Sequence, residues 1–389
     1  MIRVQKGRRL QFVRRMTKRQ PLPASSGLRL GSWLTLAIIA ALISAAQVHS
    51  GRGSAGCGPA LGLSKARSWP SPCWRPYSAS SPFNRLVPAD PPLLSNSAAI
   101  VRRLVDWGEV QQMVVGNSRT GTDWHRPIYY GRRSQRRYKV KCVRWERACE
   151  VHGARVWIPG RAKPSSGGDG HLAVIDRAKG IEYDFWQVRS KPRRGGVLRV
   201  SHGGKTRIDG RGLGSNATAA HFGLAGGLIR GPEVLSGEIN HALFAAVRCS
   251  SGGAVYPAAP DTSGATCSNF GLTKRGAPPL GARLWLAMSD SQIAGLDVPA
   301  WKRTILEAMA RYGALVGDTI NGNSSWGIAP ESGASYTSFG VRDPWRTVAE
   351  RAGVRRDREG YFLDVDSGVD WARYLKVLDP CVSRGDCKR

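Results

Sequence analysis

Between residues 110 and 290 the apolar positions fall in short runs or in alternation with polar ones, and Gly, Asn, Asp and Pro interrupt them at close intervals. Alternation of period two marks strands with one face on a core, because successive side chains point to opposite sides of the pleat. Closely spaced turn residues keep those strands short. The pattern therefore predicts a mostly β, single-domain protein, built as an antiparallel β-sandwich or jelly roll with a few peripheral helices. The clearest hairpin joins His171–Asp176 to Ile181–Val188 through Arg-Ala-Lys-Gly. In its second strand Ile181, Tyr183, Phe185 and Gln187 share one face; Glu182, Asp184, Trp186 and Val188 share the other. A second hairpin is expected from Val197–Ser201 and Thr206–Asp209 around His-Gly-Gly-Lys. A further strand is expected over Glu238–Val247, with Ile239, His241, Leu243, Ala245 and Val247 on one side.

Helical spacing occurs in few places. Over Ser97–Trp107, Ile100, Val101, Leu104 and Val105 make one face, Ser97 is placed to cap, and Gly108 stops the helix. Over Asp297–Tyr312, Pro299 suits the first turn, and Trp301, Ile305, Ala308, Met309 and Tyr312 line one side. Ala314–Thr319 reads as a returning strand, and Asp343-Pro344 opens a short helix. The chain thus divides into a basic leader (1–50), an extended Pro/Gly/Ser-rich lead-in (51–96) and one β-rich domain (97–389).

The leader changes the picture of where the domain works. Residues 33–46 form one apolar run. As a helix it would reach about 21 Å, short of the ~30 Å hydrocarbon core of a bilayer. With its basic flank, and with Val48 and Ser50 before Gly51, it reads as a signal sequence cleaved before Gly51. If uncleaved, it would be an anchor and the one membrane contact. All eight cysteines follow it and fall into close couples: 57–73, 142–149, 249–267 and 381–387. An even count in an exported chain points to disulfides, and local pairing is expected. No CxxC occurs and no His stands at finger spacing, so neither a metal site nor a cofactor is expected. GxSxG, HExxH and Walker motifs are absent.

The formal net charge is +30, of which nine come from the acid-free leader, so the exported part keeps +21. Such a chain is drawn to polyanions: acidic polysaccharides, teichoic-acid-like wall polymers, anionic lipid or extracellular DNA. Arg and Lys number 45 and 13, a bias that genome composition also produces. No motif for a specific nucleic acid accompanies the charge.

The candidate chemistry centres on the first hairpin. Glu182 and Asp184, two residues apart on one strand face, have the spacing of a glycosidase carboxylate pair, one ionised and one protonated. The alternative is a lyase, in which His171 or Tyr183 abstracts a proton while Arg neutralises a uronate. His221, Gln187, Asn240 and His241 are further polar candidates. Trp186, Trp124, Trp145 and Trp157 suit stacking on sugar C–H faces. Each of these residues also has a plain structural role open to it, as core or as hydrogen-bond partner. Asp364-Val-Asp-Ser-Gly-Val-Asp370 resembles a calcium loop, but Leu375 stands where an EF-hand needs Glu.

Three segments carry a resemblance: Asp-Gly-His-Leu-Ala-Val-Ile-Asp…Glu-Tyr-Asp-Phe-Trp-Gln (169–187), Gly-Gly-Leu-Ile-Arg-Gly-Pro-Glu-Val-Leu-Ser-Gly-Glu-Ile-Asn-His-Ala-Leu (226–243), and Ser-Pro-Phe-Asn (81–84) ahead of them. In these the chain resembles a family of uncharacterised exported proteins of actinobacteria and other soil microbes. The resemblance implies one exported β-rich domain with His171, Asp176, Asp184, Trp186, Glu238 and His241 among its signature residues. It implies no activity. The reading is an exported protein that binds or cleaves an extracellular or cell-wall polysaccharide, acidic ones included. Glu182, Asp184 and His171 are the catalytic candidates; Trp186, Trp124, Tyr183 and His241 would hold substrate. The alternative is a non-catalytic wall-associated protein held to polyanions by charge.

Overall fold

Six strands build the first sheet: β1 (Ile128–Gly131), β2 (Arg136–Cys142), β3 (Arg155–Ile158), β4 (Leu172–Asp176), β5 (Ile181–Ser190) and β6 (Gly196–Arg207). Their order is β1-β4-β5-β6-β2-β3. The computed structural model describes residues 60–63, 69–116, 123–320 and 322–388, all within one unit, Ser54–Arg389. The sheet curls around a core of its own. Tyr129, Tyr138, Val156, Leu172, Phe185 and Leu198, one from each strand, meet in it. Its edge strands approach so closely that a Cβ on Gly131 of β1 would lie 2.2 Å from the Trp157 carbonyl of β3.

Five later strands form the second sheet: β7 (Leu243–Val247), β8 (Arg283–Leu286), β9 (Ala314–Thr319), β10 (Trp326–Ile328) and β11 (Leu375–Leu378), in the order β10-β7-β9-β8-β11. The Ser97–Asp106 helix packs on β11 and the Ala300–Arg311 helix on β8. Leu243, Leu284 and Leu315 of this sheet share one core with Ile128, Ala173 and Ile175 of the first. One face of β1 and β4 thus looks into the first sheet's own core and the other into the main core. That is why the β4 run Leu-Ala-Val-Ile-Asp is buried at every position.

The chain is mostly β with helices at its periphery, but the sheets are mixed. β1/β4, β2/β6 and β7/β9 are parallel pairs. Alternation specifies a strand and its faces, and a short turn specifies an antiparallel neighbour. Neither specifies the direction of a partner distant in sequence. The β4/β5 hairpin forms as the pattern requires, with Ala173 opposite Asp184 and Ile175 opposite Glu182.

The second expected hairpin is instead one twelve-residue strand, β6. Gly203 and Gly204 make no turn; they allow close approach. A Cβ on Gly203 would sit 2.5 Å from the Asp184 carbonyl, and one on Gly204 would sit 2.5 Å from the Asn216 amide. The strand expected over 238–247 begins only at Leu243, so His241 lies in the loop before it. Ser97 does not cap its helix: it is the first helical residue, and its Oγ accepts from the Val377 amide at 2.8 Å. Asp343 does cap the Pro344–Arg351 helix, accepting from Trp345. The described part of the lead-in is built into the body, with Trp74, Tyr77 and Phe83 buried in the main core.

Cys142–Cys149, Cys249–Cys267 and Cys381–Cys387 are disulfides, as local pairing predicts. Cys73 is disulfide-bonded too. The expected partner, Cys57, and the apolar run at 33–46 lie outside the described residues. Among the described residues no helix is long and apolar enough to cross a membrane.

Candidate functional site

One face of β5 runs from the main core to the surface, carrying Glu182, Asp184 and Trp186 in turn. Alternation puts the three side chains in line, with Ala173 and Ile175 of β4 on one flank and Gly204 and His202 of β6 on the other. The first two are fully buried and Trp186 is half-buried. The inner and outer ends of this line therefore have different chemistry.

At the inner end Glu182 Oε2 accepts from the Tyr77 hydroxyl at 2.7 Å and Oε1 from the Ala225 amide at 2.7 Å. Asp184 Oδ2 accepts from Ser215 Oγ at 2.6 Å and from the Leu224 amide at 3.2 Å. Burial raises both above the ordinary carboxylate range, Asp184 well above it, with the Glu182 charge adding to the rise. Both groups are at 0% exposure. They tie the 215–225 loop and the lead-in to β5, and no substrate oxygen can reach them in this structure.

At the outer end Trp186 Nε1 donates to Asp169 Oδ1 at 2.9 Å. The other oxygen of Asp169 lies 3.8 Å from His171 Nε2. Asp169 sits just before β4, two residues from His171 and on the same side. Its carboxylate is 38% exposed, whereas the His171 ring shows only 7%. The backbone of His171 is fixed by Ser165, which accepts from its amide at 2.8 Å through Oγ and donates to its carbonyl at 2.9 Å. Burial, with the charges of Arg126 and His125, lowers His171 to about 3, so the ring is neutral across the physiological range. Its Nδ1 makes no well-aligned hydrogen bond.

Aromatic rings frame this end. Trp145, from the loop after β2, stacks on Trp186 with centroids 5.4 Å apart and planes at 22°. His202 meets Trp145 edge-on. Trp124 is 55% exposed and covers Gly168, where a Cβ would come within 3.2 Å of its ring. The next two residues, His125 and Arg126, turn inward. The Arg126 guanidinium lies 3.8 Å over the Phe244 ring, and its Nη1 has no partner among the described residues. Burial lowers its pKa, opposed by Asp318, Asp184 and Asp169. Asp123 is held by Ser332 Oγ at 2.6 Å, and burial raises it.

Of the residues singled out from sequence, His171, Trp186 and Trp124 come together here, with Glu182 and Asp184 buried behind them. Tyr183 does not join them. It points into the first sheet's own core, where Lys179 Nζ donates to its hydroxyl at 3.3 Å. His241 stands elsewhere, in a buried ion cluster: Nε2 is 3.1 Å from Glu233 Oε1, which also accepts from Arg230 at 2.7 Å. Burial pushes Glu233 up, but Arg230 and His241 outweigh it and hold the carboxyl below its usual range. Asp169, Arg126 and Asp318 are polar members of the site that pattern reading passed over. Only Asp169 had a readable signal, its two-residue spacing from His171.

The calcium-like loop uses its own acids. Asp364 accepts from the amides of Asp366 and Ser367, Asp366 from that of Val110, and Asp370 caps the Trp371–Tyr374 helix. Lys302 Nζ donates to the Ser367 carbonyl. Among the described residues no group of three His, Cys, Asp or Glu is arranged to hold a metal ion. Comparison of the chain with protein-family models, with curated proteins and with solved structures gave no match.

Proposed function

We propose that this is an exported protein that binds an extracellular polysaccharide across the Trp145–Trp186 stack and cleaves it at the Asp169–His171 end. The observation that carries this reading is Asp169 itself, whose two oxygens join the stacked indole of Trp186 to the imidazole of His171. Sugar rings present C–H faces to indoles, and a neutral imidazole beside a carboxylate is a general base. Of the two enzyme forms, β-elimination fits better than hydrolysis. Glu182 and Asp184 have no exposure, whereas the Asp169 carboxylate beside His171 is 38% exposed. In that reaction His171 takes the proton α to a uronate carboxylate, a C=C bond forms as the glycosidic C–O bond at the β carbon breaks, and the leaving oxygen takes a proton from water. Arg126 is the nearby cation that would neutralise the carboxylate. In this reading the two sheets are the layers of a sandwich, with the site at one end of their shared core.

The test is a panel of uronate-bearing and neutral polysaccharides offered to the mature protein, scored for unsaturated, ultraviolet-absorbing ends. Cleavage of a uronate polymer that disappears in His171→Ala and in Trp186→Ala, both still folded, supports the reading. Absence of both cleavage and binding across the panel defeats it.

A further inference from the structure

The residues that lead to the stack are not neutral. Along β2 the inward side chains are Tyr138, Val140 and Cys142, so Arg137, Lys139 and Lys141 all face solvent. Beyond the strand end the chain stays tied to β6. Val143 and Trp145 donate their amides to the Val200 and Ser201 carbonyls of β6, at 2.8 and 3.4 Å, and both are exposed. One row of odd-numbered side chains, Arg137, Lys139 and Lys141, therefore shares the solvent face of β2. Pairing widens it: Arg155 of β3 lies opposite Lys139, and Arg199 of β6 beside Lys141. Adjacent strands are about 4.8 Å apart and alternate residues about 6.7 Å, so these five cations form a grid rather than a point.

Residues 131–145, 153–168 and 187–208, which include β2, β3 and β6, contain no Asp or Glu. None of the five cations has a carboxylate partner among the described residues; the nearest contact is Arg137 over the Trp157 ring, at 5.6 Å. Like charges so placed repel one another and raise the energy of the bare surface. An extended polyanion relieves that repulsion at each cation it passes. Trp145 stands four residues past Lys141, in the loop that leaves β2, and stacks there on Trp186.

We infer that Arg137, Lys139, Lys141, Arg155 and Arg199 form a track for an extended acidic polysaccharide, one that carries carboxylates along its length and feeds into the Trp145–Trp186 stack. This deepens the proposed function and rests on it for the direction of the chain. It requires that binding energy come from many weak, screened contacts away from the reacting bond.

The test uses the full exported chain and polygalacturonate, with a neutral glucan and duplex DNA as comparison ligands. Lys139→Glu/Lys141→Glu is measured against Arg355→Glu/Arg358→Glu, which makes the same change in net charge on exposed residues elsewhere. All four sites are on the surface, and melting curves confirm the fold. The β2 variant should bind polygalacturonate about tenfold or more weakly at low salt, with a flatter salt dependence, while the control variant binds nearly as wild type. Equal loss in both variants would show that only net charge matters and would overturn the track. So would unchanged binding in the β2 variant, or duplex DNA binding as tightly as polygalacturonate with the same dependence on Lys139 and Lys141. Trp186→Ala separates this inference from the proposed function. If it cleaves and binds as wild type while the β2 variant still loses binding, the track stands and the site at the stack does not.

Discussion

Asp169 holds Trp186 by a 2.9 Å hydrogen bond and stands 3.8 Å from His171 with its second oxygen. One carboxylate thus sets the angle of a ring that could carry a sugar and the field at a ring that could move a proton. Asp169→Asn keeps the shape but removes the charge. Polysaccharide cleavage should fall on the order of tenfold or more, since orientation and charge at a general base are worth that much. Tryptophan emission should shift as the indole loses a charged acceptor. Full activity with an unshifted spectrum would show that Asp169 orients nothing.

His171 makes stability acid-sensitive. The folded chain holds it near 3 against 6.5 for the free side chain, so between those values the unfolded chain binds the extra proton. The stabilisation is complete above pH 6.5 and is lost as pH falls toward 3. His171→Gln cannot titrate and keeps the backbone bonds to Ser165. Relative to wild type it should become more stable by upwards of about 1 kcal/mol between pH 7 and pH 4. Parallel curves of unfolding free energy against pH would contradict this.

Glu331 works in the opposite direction. It is fully buried, accepts from the Tyr336 hydroxyl at 3.0 Å, and burial raises it to about 7. The folded chain keeps this proton where the unfolded chain has released it. The contribution is therefore full below about pH 4.5 and is lost as pH rises toward 7. Glu331→Gln should flatten that part of the profile by up to about 3 kcal/mol. The difference between the two curves, not either curve alone, is the measurement.

Tyr77→Phe deletes the donor to Glu182 Oε2 and leaves that buried oxygen unpaired. A loss of about 1–3 kcal/mol in chemical unfolding is expected. The variant also tests whether residues 74–84 belong to the cooperative unit, because a detached lead-in would leave the midpoint unmoved.

Gly203→Ala would put a methyl 2.5 Å from the Asp184 carbonyl oxygen and 2.8 Å from a Val151 methyl. Overpacking of that kind costs roughly 1–3 kcal/mol. Gly253→Ala, where the nearest of these contacts is Ser251 Oγ at 3.8 Å, should cost much less. A reversed order would mean that Gly203 is a flexible turn after all.

What the sequence determined by itself is local. Short apolar runs placed β4 and β9, alternation placed β5 and its two faces, the spacing of cysteines placed three disulfides, and Asp343-Pro344 marked a helix start. These follow from properties of neighbouring residues, which period and turn chemistry report directly. What the tertiary structure decided is which faces are covered. Two carboxylates on a strand face read the same whether that face meets water or a second sheet, and here the main core closes over Glu182 and Asp184. Tyr183 and His241 lie close to the candidate residues along the chain, yet packing turns one into the first sheet's core and the other onto Glu233. The pairing of β1 with β4 and of β2 with β6 is parallel and long-range, so no turn announces it. The same long-range pairing brings β6 beside β2 and aligns Trp145 with Trp186. Distance along the chain hides such neighbours, and only the closed sheet brings their side chains into contact.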